Sequence, residues 1–136
     1  MDWGKIYTGI AGVSGAAASY FFGGWSALII VLVGIVVLDY ISGVLAAGIE
    51  GKLSSSVGLK GLAKKILIFL LVATAHLVDV AIGKGDMVRD GVTWCFIANE
   101  ALSIIENAGR TGLVYVPPVL RQAVEVLRSK GGSANG

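Results

Sequence analysis

The alternation of apolar and polar stretches divides the chain into segments. No Asp, Glu, Lys or Arg occurs from Ile6 to Leu38, a run of 33 residues, and Gly23-Gly24 breaks this run near its middle. The first segment, 6–22, is diluted by Gly9, Gly12 and Gly15. At ~1.5 Å per residue it reaches only about 25 Å, short of the ~30 Å hydrocarbon core of a bilayer. The pattern allows two readings. One is a cleaved signal sequence ending near Ala16-Ala17-Ala18. The other is a short span whose small residues Ala11, Gly12, Gly15 and Ala16 let another backbone come close.

The second segment, 25–49, is almost purely aliphatic from Leu28 to Leu38, with Trp25 as an interfacial anchor. A polar connection over 51–65 carries Ser54-Ser55-Ser56 and Lys52, Lys60, Lys64 and Lys65. The third segment, 66–83, contains His76 and Asp79, and a loop at 84–90 follows. In the fourth, 91–107, Trp94, Ile97, Ala98, Ala101, Ile104 and Ile105 form one helical stripe. Asn99, Glu100, Ser103, Glu106 and Asn107 form the other. This is either a span with its polar face inward or a helix lying at the interface.

After Pro117-Pro118, Val119, Leu120, Ala123, Val124 and Leu127 mark an amphipathic helix. It is read as lying on the membrane surface, pairing with a neighbour, or standing solvated. The expected architecture is all-α: an integral membrane protein with three to four transmembrane helices, four preferred. A membrane domain occupies 1–116, a cytoplasmic or interfacial helix 117–130, and a disordered tail 131–136. The four lysines of the 51–65 connection place it in the cytoplasm, and four spans then put both termini there.

Composition supports the membrane class. Hydrophobic residues make up 55% of the 136 and charged ones 15%, against about 25% charged in a soluble domain. A net charge of +2 is too small and scattered to suggest nucleic acid. One cysteine, Cys95, and one histidine, His76, leave no basis for a disulfide framework, a metal site or a cofactor. No catalytic motif is legible, so an enzyme is not expected.

The informative groups are ionisable residues within apolar segments, each costing on the order of 3 kcal/mol at a helix centre unless partnered. Counted inward from the cytoplasmic ends, Asp39 and His76 lie ~16 Å deep at helical rise, and Glu100, counted from the other side, lies at a similar depth. They form a candidate midplane cluster, read either as a seam that meets water on assembly or as a buried hydrogen-bonded group. Asn99, Glu100, Ser103, Glu106 and Asn107 form a candidate pore-lining face.

Two ordered blocks resemble the phage holin family that includes toxin-secretion holins. The first is Asp39 with Ser42-Gly43, then Leu53-Ser54-Ser55, Gly58, Gly61 and Lys64-Lys65. The second is Asn99-Glu100, Leu102 to Asn107, Gly112 and the Pro117/Pro118–Leu120 end. The resemblance implies a non-enzymatic, homo-oligomeric protein of the bacterial cytoplasmic membrane that opens timed lesions. Its functional partner is then an endolysin or a secreted toxin, with no direct binding required. Ser42 and Gly43 join the candidate helix-packing positions. The competing classes are a small oligomeric ion or proton channel (or transporter subunit) using Asp39, His76 and Glu100 as a relay, and a membrane scaffold.

Overall fold

A computed structural model describes residues 1–83 and 85–134. Five α-helices follow in order: α1 (Trp3–Phe22), α2 (Ala27–Ile49), α3 (Ser55–Ile82), α4 (Met87–Thr111) and α5 (Pro118–Ala134). No strand occurs among the described residues. Local chemistry sets several of the ends. Ser26 Oγ accepts from the Ile29 N–H at 3.3 Å and Ser54 Oγ from the Val57 N–H at 3.2 Å, capping α2 and α3. Gly23 ends α1 at a φ of 71°, a left-handed conformation that only glycine adopts without steric cost.

α4 is the centre of the bundle. It packs along most of α2 and α5, while α3 covers a third side, and α1 leans on α3. α3 runs antiparallel to α2 and α4, since Lys65 meets both Asp39 and Glu100 while Asp79 meets Arg89. Ile29, Leu32, Val36, Ile68, Val72 and Ile97 form the buried apolar core, flanked by Phe22 and Phe69, whose rings stand 6.0 Å apart.

The distribution of burial is inverted relative to a soluble protein. Among the described residues, α2 and α3 are the two helices long and apolar enough to cross a membrane. Only 22% and 28% of their most apolar stretches are buried, whereas a soluble core helix would be mostly covered. Ile30, Val31, Val37, Leu38, Leu67 and Leu70 face outward, while Asp39, Lys65, Asp79, Arg89 and Glu100 face inward. Aliphatic groups outside and paired charges inside suit lipid as the solvent.

Three segment boundaries differ from expectation. The connection expected over 51–65 shrinks to 51–54, because the Ser54 cap starts α3 early and Tyr40 Oη donates to the Gly58 carbonyl at 3.4 Å. α1 starts at Trp3, yet none of its residues is buried; Gly12 and Gly15 have no atom within 4 Å of where a Cβ would stand. Within one protomer its small-residue face therefore packs against nothing.

The tail expected to be disordered from residue 131 instead continues α5 to Ala134. Asn135, Gly136 and Lys84 lie outside the described residues. α5 does not stand apart: it folds back antiparallel along α4, burying Val124, with Lys130 Nζ 5.2 Å from the centre of the Trp94 ring. The absence of a side chain at Gly131 permits this approach, since a Cβ there would lie 2.8 Å from Cys95 Sγ and 3.1 Å from the Cys95 backbone nitrogen. Gly131→Val is accordingly expected to lever α5 off α4, at a cost of about 1–3 kcal/mol from overpacking. Faster thiol labelling of Cys95 in the variant would report this, and an unchanged labelling rate would contradict it.

Candidate functional site

The bundle is layered. α3 and α4 each carry a buried polar group near both ends of the apolar core, and α2 carries one, Asp39. On α3, Lys65, Ile68, Val72, Ala75 and Asp79 recur at helical spacing and are all buried. On α2 the sequence is Ile29, Leu32, Val36, then Asp39; on α4 it is Arg89, Thr93, Ile97, then Glu100 and Asn107.

The inner polar layer centres on Lys65. Its ammonium donates to Asp39 Oδ2 and to Glu100 Oε2. The three side chains are only 10%, 5% and 2% exposed respectively, so neither attraction is screened by solvent as a surface pair would be. Asn107 Nδ2 donates to Asp39 Oδ1 at 3.1 Å and to Ser42 Oγ at 3.0 Å, binding α4 to α2. Gly43 lies beside this amide, where a Cβ would make only an ordinary contact, 3.5 Å from Asn107 Nδ2.

Beside this layer lies a cavity of about 220 Å³ between α2, α3 and α4, lined by Asp39, Tyr40, Gly61, Lys64, Ser103 and Arg110 among others. Arg110 closes its end with a two-point contact to Glu50, Nε to Oε1 at 2.8 Å and Nη2 to Oε2 at 3.1 Å. The Arg110 guanidinium holds the Glu50 carboxyl below its usual 4.5. Because the folded value is lowered, the pair stabilises the bundle end above the ordinary carboxylate range, and this is lost as pH falls through the lowered value. An acid titration should therefore be flatter in Glu50→Gln than in wild type, with the difference shrinking in high salt. Coincident titrations would contradict this role.

The outer polar layer ties α1, α3 and α4 together. Asp79, 1% exposed, accepts from the Val88 and Arg89 N–H groups at 2.9 and 2.8 Å. It thereby caps the start of α4 with a carboxylate from another helix, where the helix dipole favours negative charge. Arg89 Nη1 donates to the Phe22 and Gly23 carbonyls at 2.8 and 3.2 Å, satisfying the end of α1. Its other nitrogens pair with Asp86 and Asp90.

Of the expected midplane cluster, Asp39 and Glu100 are brought together and His76 is not. His76 is eleven residues beyond Lys65 on the same helix, a displacement of ~16 Å, so both cannot serve one layer. It packs instead beside Gly23, with Nδ1 3.9 Å from Asp86 Oδ1 and without a hydrogen-bond partner among the described residues.

The polar stripe of α4 divides in two. Glu100 and Asn107 turn inward, Ser103 is half-buried beside the cavity, and Asn99 and Glu106 are exposed. Lys60 and Lys64 are exposed, Lys52 pairs with Glu50 at 3.5 Å, and Lys65 is an interior residue rather than part of a solvated connection. Sequence reasoning missed Lys65 and Arg89 as interior partners. The signal lay in the helical spacing of Lys65 with Ile68, Val72 and Asp79, which is visible only if α3 begins before residue 65.

The bacteriophage holin family profile matches residues 16–129. A Listeria innocua protein is 47% identical over 118 residues, covering 87% of this chain and 84% of its own length. A Halalkalibacterium halodurans protein is 40% identical over 123 residues, covering 87% and 90%. A 14.9 kDa protein encoded in the nagH 3′ region of Clostridium perfringens is 34% identical over 131 residues, covering 96% and 94%. No solved structure matches the chain.

Proposed function

Because the chain belongs to the bacteriophage holin family, we propose that it accumulates and oligomerises in the bacterial cytoplasmic membrane and opens timed lesions there. An endolysin, or a secreted toxin, then crosses without needing to bind it. The observation that carries the membrane part of this reading is the inverted burial, with aliphatic side chains of α2 and α3 outside and paired charges inside. In this reading the less apolar α1 and α4 join α2 and α3 as spans, with the Lys52, Lys60 and Lys64 end of the bundle in the cytoplasm. The N-terminus lies on that same side.

The mechanism follows from the place of α5. Gly131 lies against Cys95, sixteen residues above the end of α4, so α5 climbs ~24 Å beside a spanning helix. Its exposed side carries Arg121, Gln122, Glu125 and Arg128. Held in lipid, these groups would be costly. In an assembly they face a shared aqueous centre, next to the exposed Asn99 and Glu106 of α4. Copies associate through the unpartnered small-residue face of α1, at Ala11, Gly12 and Ala16.

Inducing the protein in bacteria with and without an endolysin tests the reading, with viability, dye entry and optical density followed together. Sudden killing, with lysis only when the endolysin is present, is expected. Slow growth without entry of large dyes would overturn it. Ion leakage alone would favour the second reading, a small ion- or proton-conducting oligomer, for which the cavity ending on Asp39 and Lys65 is the motivating feature.

A further inference from the structure

The inner polar layer is out of charge balance. Two carboxyl groups, Asp39 and Glu100, share a single ammonium, Lys65, and all three are buried. The other polar groups facing them are neutral: Ser42 from α2, and Ser103 and Asn107 from α4. The nearest remaining cations are at the cavity rim. Lys64 of α3 is exposed, and Arg110 of α4 is already matched by Glu50. No charged group of α1 or α5 contacts the three among the described residues. With every group ionised, the layer would carry one uncompensated negative charge inside a bundle surrounded by lipid.

Such a charge is costly in a low-dielectric interior, and two carboxylates on one site do not both ionise readily. A proton restores neutrality at no steric cost. We infer that Asp39 and Glu100 hold one proton between them, making the middle of the bundle a proton-binding site with the 220 Å³ cavity as its path to water. The hydrogen bonds say which group keeps it. Asp39 accepts from both Lys65 and Asn107 and is the better-supported anion, whereas Glu100 accepts from Lys65. The proton therefore resides on the Glu100 carboxyl and reaches water by way of Asp39, which lines the cavity where Glu100 does not. Loss of the proton leaves a net negative charge where α2, α3 and α4 meet, and this loosens α4 from its neighbours. The inference concerns the folded protomer and holds whether or not the protein opens lesions.

Infrared spectroscopy of the full chain in lipid vesicles tests it. At neutral pH one protonated-carboxyl C=O band per chain is expected, and it should shift when glutamate carboxyls alone carry ¹³C. Glu100→Gln should abolish the band. Asp39→Asn should abolish it as well, because Lys65 then matches the one remaining carboxylate. Lys65→Gln should add a second protonated carboxyl, with helical content followed by circular dichroism in each variant. The isotope measurement needs no substitution, so it stands even if a variant misfolds. Absence of a protonated-carboxyl band from wild type at neutral pH would overturn the inference. So would a band that survives both single carboxyl substitutions, or one that glutamate labelling leaves in place.

Discussion

Replacing Lys65 with methionine is expected to cost the bundle about 3–5 kcal/mol, the usual consequence of removing one partner from a buried ionic group. The ammonium donates to both Asp39 of α2 and Glu100 of α4. Without it, two buried carboxyls face each other with no cation between them. Unfolding by denaturing detergent, monitored by circular dichroism in mixed micelles, measures the loss. The combined variant Asp39→Leu, Lys65→Met, Glu100→Leu should recover most of it, since well-packed apolar groups often replace a buried ionic cluster at little or no cost. A Lys65→Met protein within about 1 kcal/mol of wild type, below the range for a broken buried pair, would mean that the cluster does not hold the helices together.

Gly23→Ala is expected to release α1. Gly23 sits at a φ of 71°, where a side chain costs roughly 1–2 kcal/mol. Crowding adds to the strain. A Cβ there would lie 2.5 Å from His76 Cε1, 2.6 Å from its Nδ1 and 2.9 Å from Arg89 Nη1, worth about 1–3 kcal/mol more if the site cannot relax. The guanidinium must then leave the Phe22 and Gly23 carbonyls that it satisfies. Gly24→Ala is the matched control, because Gly24 also has a positive φ, 97°, but nothing within 4 Å of its Cβ position. Hydrogen exchange along α1 should rise far more in the first variant than in the second. Equal exchange would show that the Arg89 contact does not pin α1.

Much of the helical layout was legible in the residue pattern. The aliphatic run before Asp39 and the break at Gly23-Gly24 mark α2, because an unbroken apolar stretch and a glycine pair are local properties. The start of α3 was misread for a related reason. Ser54 to Lys65 is polar in composition, yet its glycines and lysines are helical, and composition says less about helix starts than the capping geometry does. α5 was legible as amphipathic, but its partner was not. An apolar stripe reports what could be covered; in the fold α4 covers Val124 and part of Leu127, while Val119, Leu120 and Ala123 stay exposed.

The candidate site divides along the same line. Depth counting along the helices placed Asp39 and Glu100 at one level, and the fold joins them. It assigned the third place to His76, where the fold uses Lys65 and sends His76 to the other end of the core. By itself, then, the sequence determined the solvent: too few charges to cover a water-facing surface, and apolar stretches long enough for lipid. It also determined which groups must find partners, because an ionisable residue within such a stretch is costly alone wherever the helix goes. Only the tertiary structure decided which partners they take. A lysine and two carboxyls from three helices, 26 and 35 residues apart in sequence, meet through helix register and rotation. Those follow from packing across the whole bundle, which no local stretch of residues encodes.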